Sequence, residues 1–198
     1  MGMFLPADAS FRRLTFADFL TVPRQPPAPG TTQTAAQTRV GLQLQPNRFT
    51  FARSQFLTGG VFTMSEDPNV LVVLQTRQPA MFVASWVFQR PQTFQNELLN
   101  HEQGHYEIGM LNAKDFFFEL QRIQASAFAS PTLGVDAMRN LQATLGSAQA
   151  IHDKYDRDTR SGLNPQRQAA WDAALSAARI TFTAPSLRVA LRTAGLFP

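Results

Sequence analysis

Two of the three histidines in this 198-residue chain flank a glutamate, in the segment His101-Glu102-Gln103-Gly104-His105. If the segment is helical, positions i and i+4 lie one turn apart on the same face, so both imidazoles can bind one Zn²⁺ ion. The glutamate beside the first histidine can then take the proton of a water at the metal. The spacing is the HExxH pattern of zinc metallopeptidases, and it predicts His101 and His105 as metal ligands and Glu102 as the general base.

A zinc site that leaves one coordination position open for water needs a third protein ligand. The remaining histidine, His152, lies downstream on a predicted helix whose inward-facing stripe continues through Tyr155, Asp156 and Thr159. This helix can bring a third ligand to the same metal. No cysteine is present, so thiolate ligands and disulfide bonds are excluded.

The HExxH segment lies in a proline-free stretch from residue 92 to about residue 124, which predicts one long helix that begins near Pro91. At 100° per residue, the inward side carries Leu98, His101, Glu102, His105, Gly109, Asn112 and Phe116. Gln103 and Glu107 fall on the arc that is predicted to face water. Gly104 and Gly109 each cost such a helix about 1 kcal/mol relative to alanine. The two glycines indicate either that a neighbour or a substrate approaches the helix backbone closely at these residues, or that a long helix simply tolerates them.

The first 90 residues have the pattern of a sheet, because short β-branched and aromatic segments alternate with turn residues. The predicted strands are 39–44, 47–53, 61–64, 70–77 and 81–88, and they predict an antiparallel sheet. A short element near residues 14–20 and a proline-rich connector at residues 24–30 precede them.

Two further helices are predicted at residues 136–160 and 166–179, the second with Ala170, Trp171, Ala174 and Ala178 on its buried side. The tail from residue 180 begins with a strand-like Ile-Thr-Phe-Thr run and ends in a short amphipathic piece. The length and the 44% hydrophobic content fit one α+β domain over residues 1–198, with residues 1–90 mainly β and residues 91–180 mainly α.

Charge and hydropathy argue against two classes of partner. The net charge of +4 comes from 16 arginines and two lysines that are scattered along the chain, whereas a nucleic-acid interface normally shows a clustered basic stripe. The longest apolar run, residues 70–74, is far shorter than the roughly 20 residues that span a bilayer. The N-terminus does not have the pattern of a signal peptide. The localisation stays open: cytoplasmic as written, or secreted or periplasmic if a leader was removed. The oligomeric state is also open.

Five segments occur in an order that matches one family pattern. They are Leu14-Thr15-Phe16-Ala17-Asp18-Phe19, Ala35-Ala36-Gln37-Thr38, Ser85-Trp86-Val87, Leu98 to Tyr106, and Tyr155 to Gly162 followed by Gln168 and Trp171. This series resembles the bacterial domain-of-unknown-function family 922, described as predicted zinc-dependent proteases of the zincin type. The resemblance implies a zincin-like fold, a Zn²⁺ cofactor and a peptide or protein substrate.

One position departs from the pattern, because Ser161 stands where relatives carry a histidine before the glycine. If that histidine completes the metal site in relatives, this chain uses another ligand or has lost activity. His152 and Asp156 are the local candidates, one turn apart and facing the same way. By analogy with zincins of the thermolysin type, we expect His152 to be the ligand and Asp156 to orient a zinc-bound histidine, with the reverse assignment as the alternative.

The sequence therefore predicts a zinc metallopeptidase in which Glu102 is the base. Tyr155 faces the site and could donate a hydrogen bond to the developing oxyanion, or it could be a packed aromatic residue. Two alternatives remain. One is a zincin-fold binding or structural protein without turnover, which Ser161 favours. The other is a zinc hydrolase that acts on an amide or ester other than a peptide.

Overall fold

A computed structural model of the chain describes residues 13–27, 35–38, 42–43, 49–50, 63–64, 73–74, 81–126, 149–180 and 186–198. Within these ranges the chain is α+β, as predicted. The strands are β1 (Leu20–Val22), β2 (Ala36–Thr38), β3 (Leu42–Gln43), β4 (Phe49–Thr50), β5 (Thr63–Met64), β6 (Val73–Leu74) and β7 (Met81–Ala84). The helices are α1 (Gln92–Ser126), α2 (Gln149–Thr159), α3 (Pro165–Ile180) and α4 (Ser186–Thr193). None of these helices is long and apolar enough to cross a membrane.

The largest sheet is mixed, so the prediction of a wholly antiparallel sheet is wrong. Its strand order is β1-β7-β2, with β1 parallel and β2 antiparallel to the central β7. A parallel neighbour requires a long crossover connection, and the chain between β1 and β7 is long enough to provide it. The pairs β3·β6 and β4·β5 are antiparallel. Each of the five predicted strand ranges contains one observed strand, from β3 to β7 in order. In the first four ranges, the residues on either side of the observed strand lie outside the described residues.

The fifth predicted strand ends early, at Ala84, where residues Ser85–Gln89 turn into a 3₁₀ helix. Trp86 and Val87 are both buried although they are adjacent. A strand sends adjacent side chains to opposite faces, so a turn is needed to direct both side chains into the same core.

Helix α1 runs between two apolar clusters, and this sandwiching is why the segment around the HExxH motif is buried. The cluster on the sheet side contains Leu14, Phe19, Ala36, Val83, Ala84, Trp86, Val87, Leu98, Tyr106 and Met110. The cluster on the other side contains Ile108, Leu111, Ile151, Tyr155, Trp171, Ala174, Leu175, Ala178, Leu187, Leu191 and Leu196. The predicted start and length of this helix are confirmed.

The prediction that Glu107 faces water is wrong, because the side of α1 opposite the HExxH histidines is also covered. Glu107 is buried and pairs with Arg179 of α3 at 3.3 Å. Gln103 Nε2 donates to Glu107 Oε1 at 3.1 Å, and the Leu14 N–H donates to Gln103 Oε1 at 2.7 Å. Polar residues on this face therefore bind neighbouring segments, which a one-sided helical projection does not anticipate.

Helix α2 lies within the second predicted helix, whose earlier part, residues 136–148, lies outside the described residues. It ends in three consecutive residues with positive φ, Arg160, Ser161 and Gly162. The Ser161 N–H donates to the Asp156 carbonyl at 3.0 Å, which satisfies a carbonyl of the last helical turn. This turn lies directly against α1 and sets where α2 stops.

Helix α3 agrees with its prediction, since Trp171, Ala174 and Ala178 are buried and Ala170 is partly buried. Its last residue is Ile180, so the prediction that a strand begins at residue 180 is wrong at that residue. Residues 181–183, the rest of the strand-like run, lie outside the described residues.

Helix α4 gives the amphipathic tail a position that the sequence did not predict. Asp115 of α1 accepts hydrogen bonds from the N–H groups of Ser186 and Leu187 at 2.8 and 2.9 Å, and from Ser186 Oγ at 2.6 Å. A carboxylate at a helix N-terminus satisfies free N–H groups and complements the helix dipole. Because Asp115 is buried, this cap holds α4 against α1.

Candidate metal centre

Three potential ligands converge between α1 and α2. His101 Nε2 and His105 Nε2 each lie 3.0 Å from Oδ1 of Asp156. One ligand atom from each of the three residues lies within 4.8 Å of the other two. Both histidines are buried, whereas the Asp156 side chain is 46% exposed. Among the described residues this is the single cluster of three or more histidine or acidic side chains with such spacing.

The close approach of α2 depends on two glycines. Tyr155 of α2 occupies the space beside Gly104, so a Cβ at residue 104 would overlap the tyrosine ring and hydroxyl. A Cβ at Gly162, where φ is +89°, would lie 3.1 Å from Cβ of His101. The predicted close approach at Gly104 is thus confirmed, and the neighbour is Tyr155. The two contacts hold α2 near enough for the Asp156 carboxylate to reach both imidazoles.

Asp156, and not His152, is the α2 residue that contacts both HExxH histidines. His152 Nδ1 lies 2.9 Å from His105 Nδ1, which is the ring nitrogen that points away from Asp156. The geometry therefore favours the alternative assignment, with Asp156 as the third ligand and His152 behind His105. Residues one turn apart share a helix face, but the crossing of the two helices decides which of them reaches the histidines.

The electrostatics of the cluster suit a cation. Burial raises the pKa of Asp156, but hydrogen bonds from His101 and His105 outweigh it and hold that pKa well below its usual range. Burial, together with the charge on His105, lowers the pKa of His152 to about 4. Asp156 is thus a carboxylate and His152 a neutral imidazole at neutral pH.

Glu102 combines deep burial with an unpartnered oxygen. It is 3% exposed, and its Oε2 has no hydrogen-bond partner among the residues that the structure describes. Burial raises its pKa, and His105, Thr38 and His101 partly counteract that effect. A buried polar atom without a partner costs about 1–3 kcal/mol. A water held beside the two histidines would relieve this cost and would be in place to lose a proton to Glu102.

Tyr155 is placed as a packed residue. Its side chain is fully buried, its ring stacks on that of His101 at 4.7 Å, and its hydroxyl donates to the His101 carbonyl at 3.0 Å. Gln168 Nε2 donates to the same hydroxyl at 2.5 Å. Burial raises the pKa of Tyr155. Of the two roles considered for Tyr155, the geometry favours packing over hydrogen bonding to an oxyanion.

Two residues near the histidines received no role from the sequence. Thr159 Oγ1 lies 3.3 Å from His101 Nδ1 and donates to the Tyr155 carbonyl at 2.7 Å. Gln168 of α3 contacts the Tyr155 hydroxyl, as described above. The sequence did place Thr159 on the inward-facing stripe of α2, and this position was the signal that could have pointed to a role at the site. For Gln168 the signal was its place in the family pattern.

The donor set fits zinc. Two imidazole nitrogens and one carboxylate oxygen are ligands that Zn²⁺ accepts, and three protein ligands leave a position for water. The ions that prefer all-oxygen sites, Mg²⁺ and Ca²⁺, fit less well. Ser161, which departs from the family pattern, lies in the exposed turn after α2 and does not belong to the cluster. The missing histidine at this position therefore leaves the set of three ligands intact.

The fold and the centre define an α+β protein with a His-His-Asp cluster between an HExxH helix and the helix that follows it. The chain belongs to the family described as "Bacterial protein of unknown function (DUF922)", whose family model matches residues 22–162. The matched range runs from the end of β1 through the turn after α2 and so contains all three ligands and Glu102. No curated protein and no solved structure matches the chain.

Proposed function

We propose that this protein is a zinc-dependent metallopeptidase with a zincin-like active centre. The observation that carries the proposal is the convergence of His101, His105 and Asp156 on one point, next to a Glu102 oxygen that has no hydrogen-bond partner in the described part of the chain. A buried acid with a free oxygen beside three converging ligands is the arrangement that metal-assisted hydrolysis needs.

Each residue then has a defined task. His101, His105 and Asp156 would hold the metal, which when bound supplies Lewis-acid activation of water and of the scissile carbonyl. Glu102 would accept the proton of the attacking water and return it to the leaving amine. The raised pKa of Glu102 favours the first transfer, because the conjugate base of a weaker acid accepts a proton more readily. The burial of the site limits competing contact with bulk water.

Strand β2 supports an extended peptide as the substrate class. The Ala84 N–H donates to the Ala35 carbonyl at 2.7 Å. Backbone groups alternate in direction along an antiparallel strand, so Ala36 and Thr38 direct their N–H and C=O groups away from β7. Among the described strands β2 pairs with β7 alone. A peptide could therefore add to this outer edge, beside Glu102.

The test compares two buried glutamates of the same helix. Purified wild-type protein should contain about one zinc ion per chain and should cleave members of a peptide library. Glu102→Gln should retain zinc and lose cleavage by at least about 100-fold, since it removes general-base catalysis. Glu107→Gln is the matched control, because Glu107 is also buried but pairs with Arg179 on the other side of α1. Equal activity of Glu102→Gln and wild type would refute the proposal.

A metal-binding protein without turnover is the second candidate, and one observation favours it. The Tyr155 hydroxyl donates to the His101 carbonyl, so it does not provide the oxyanion contact that was one of its two predicted roles. Zinc at one ion per chain without cleavage of any peptide would select this candidate. Cleavage of amide or ester probes without cleavage of peptides would select a different zinc hydrolase.

A further inference from the structure

The ring nitrogen of His101 that faces away from Asp156, Nδ1, lies beside a hydroxyl of α2. Thr159 Oγ1 lies 3.3 Å from His101 Nδ1 and donates its only proton to the Tyr155 carbonyl. Toward His101 the hydroxyl can therefore act only as an acceptor. When a metal takes the Nε2 lone pair that faces Asp156, the proton of the neutral His101 therefore sits on Nδ1, where the Thr159 hydroxyl accepts it.

His105 is held differently, by a second imidazole. Its Nε2 faces Asp156, and its Nδ1 lies 2.9 Å from His152 Nδ1. Two ring nitrogens at this distance need one proton between them. If His105 Nε2 binds the metal, the His105 proton lies on Nδ1, so His152 must accept through Nδ1 and carry its own proton on Nε2.

Both acceptors come from the helix that also supplies the third ligand. His152, Asp156 and Thr159 occupy positions i, i+4 and i+7 of α2, which lie on one face. We infer that His152 and Thr159 are positioning residues that hold His105 and His101 in the Nδ1–H tautomer, so that both Nε2 atoms are free for the metal. This inference rests on the proposed metal site. In most metal sites a carboxylate, a carbonyl or a water takes this role, whereas here a neutral imidazole supports His105.

The tautomers can be observed directly because the chain has three histidines, two in the cluster and the third, His152, in contact with His105. Long-range ¹H–¹⁵N correlation spectra of the zinc-loaded, ¹⁵N-labelled protein should contain three ring patterns. The expected result is protonation at Nδ1 for His101 and His105 and at Nε2 for His152. A spectrum with His152 bound to zinc, or protonated at Nδ1, would overturn the inference.

Two matched pairs of variants test the same assignment through zinc affinity, measured by competition with a chelator. His152→Leu and Thr159→Val remove the acceptors and should each weaken zinc binding by roughly 10–100-fold, the usual effect of losing such a partner. His152→Asn and Thr159→Ser retain a hydrogen-bond acceptor and should stay within about threefold of wild type, below that range. Arg157→Gln, at an exposed position on the same helix, is the control for general effects of substitution. Circular dichroism checks that each variant is folded.

The outcomes separate this inference from the proposed function. Unchanged zinc affinity in folded His152→Leu and Thr159→Val would overturn the positioning roles while the metal site stands. The expected spectrum and affinities without peptide cleavage would uphold the positioning roles and refute the peptidase. A wild-type protein that binds no zinc would overturn both.

Discussion

A single carboxylate oxygen, Oδ1 of Asp156, lies 3.0 Å from the Nε2 atoms of two buried imidazoles. The desolvation of this carboxylate is incomplete, because its side chain is 46% exposed, so it can stay charged at a modest cost. Its charge also offsets part of the charge of a divalent ion held by two neutral histidines. These properties make Asp156 a better third ligand than the neighbouring His152, whose Nδ1 is engaged by His105.

The residue-scale prediction concerns this ligand. Asp156→Ala should reduce zinc affinity by more than the roughly 100-fold that loss of an outer hydrogen-bond partner costs, because a direct ligand and its charge are removed. Asp153→Ala is the matched control on the same helix, since Asp153 is exposed and accepts a hydrogen bond from Gln149 instead. Isothermal titration with zinc measures both variants. Equal affinities for the two variants would exclude Asp156 from the ligand set.

The sequence could predict only part of this centre. His101, Glu102 and His105 lie within two turns of one helix, so their relative placement follows from the helical repeat alone. The choice between His152 and Asp156 depends on the angle and distance at which α2 crosses α1, and those are set by side-chain packing far along the chain. The same reason applies to Tyr155, whose hydroxyl direction depends on Gln168 of a third helix.

At the scale of elements, the close contact between α1 and α2 depends on Gly104. Helices usually pack with axes 8–10 Å apart, and small residues permit closer approach. Here the absence of a side chain at residue 104 lets Tyr155 lie against the helix backbone and reach the His101 carbonyl. The ring of Tyr155 also meets Trp171 of α3 edge to face at 5.2 Å. The position of α2 is therefore fixed from both sides.

The corresponding prediction is that Gly104→Ala destabilises the protein even though alanine is the better helix former. The substitution gains about 1 kcal/mol in helix propensity. The overlap with Tyr155 should cost more, since overpacking a tight core costs about 1–3 kcal/mol and any shift moves α2 away from the histidines. Urea unfolding measures the stability, and chelator competition measures the accompanying loss of zinc affinity.

A double variant provides the control. The hydroxyl is the nearest atom to the added Cβ, so Tyr155→Phe should recover part of the Gly104→Ala loss when the two are combined. Tyr155→Phe alone should be destabilising, because it removes the hydrogen bonds of the hydroxyl with the His101 carbonyl and with Gln168. A Gly104→Ala protein that is more stable than wild type and binds zinc normally would contradict the proposed contact.

The elements themselves were predictable to different degrees. Helices α1 and α3 are long enough for their periodic patterns to mark both ends, and both predictions are confirmed. The strands are two to four residues long, and their pairing depends on partners distant in sequence. The parallel pairing of β1 with β7 left no local signal, which is why the mixed sheet was not predicted.

At the scale of the whole molecule, the family range and the structural support of the site do not coincide. The match ends at residue 162, before α3, yet Gln168 and Trp171 of α3 contact Tyr155, and Asp115 of α1 caps α4. The residues after the matched range therefore help to hold the two helices that carry the ligands. Because α1 and α2 are separated in sequence, a metal bound by both would connect distant parts of the chain.

Zinc should accordingly stabilise the folded protein as a whole. A ligand that binds only the folded state at 100 times its dissociation constant adds about 2.7 kcal/mol to the free energy of unfolding. For a chain of this length that corresponds to a rise in melting temperature of about 5–10 °C. Thermal unfolding monitored by circular dichroism, with zinc and with EDTA, measures the difference. Glu102→Gln should keep the full shift because it leaves all three ligands in place, whereas Asp156→Ala should lose most of it. The same melting temperature for wild type in zinc and in EDTA would mean that α1 and α2 share no metal. Loss of the shift in Glu102→Gln would mean that this glutamate is itself a ligand rather than a base.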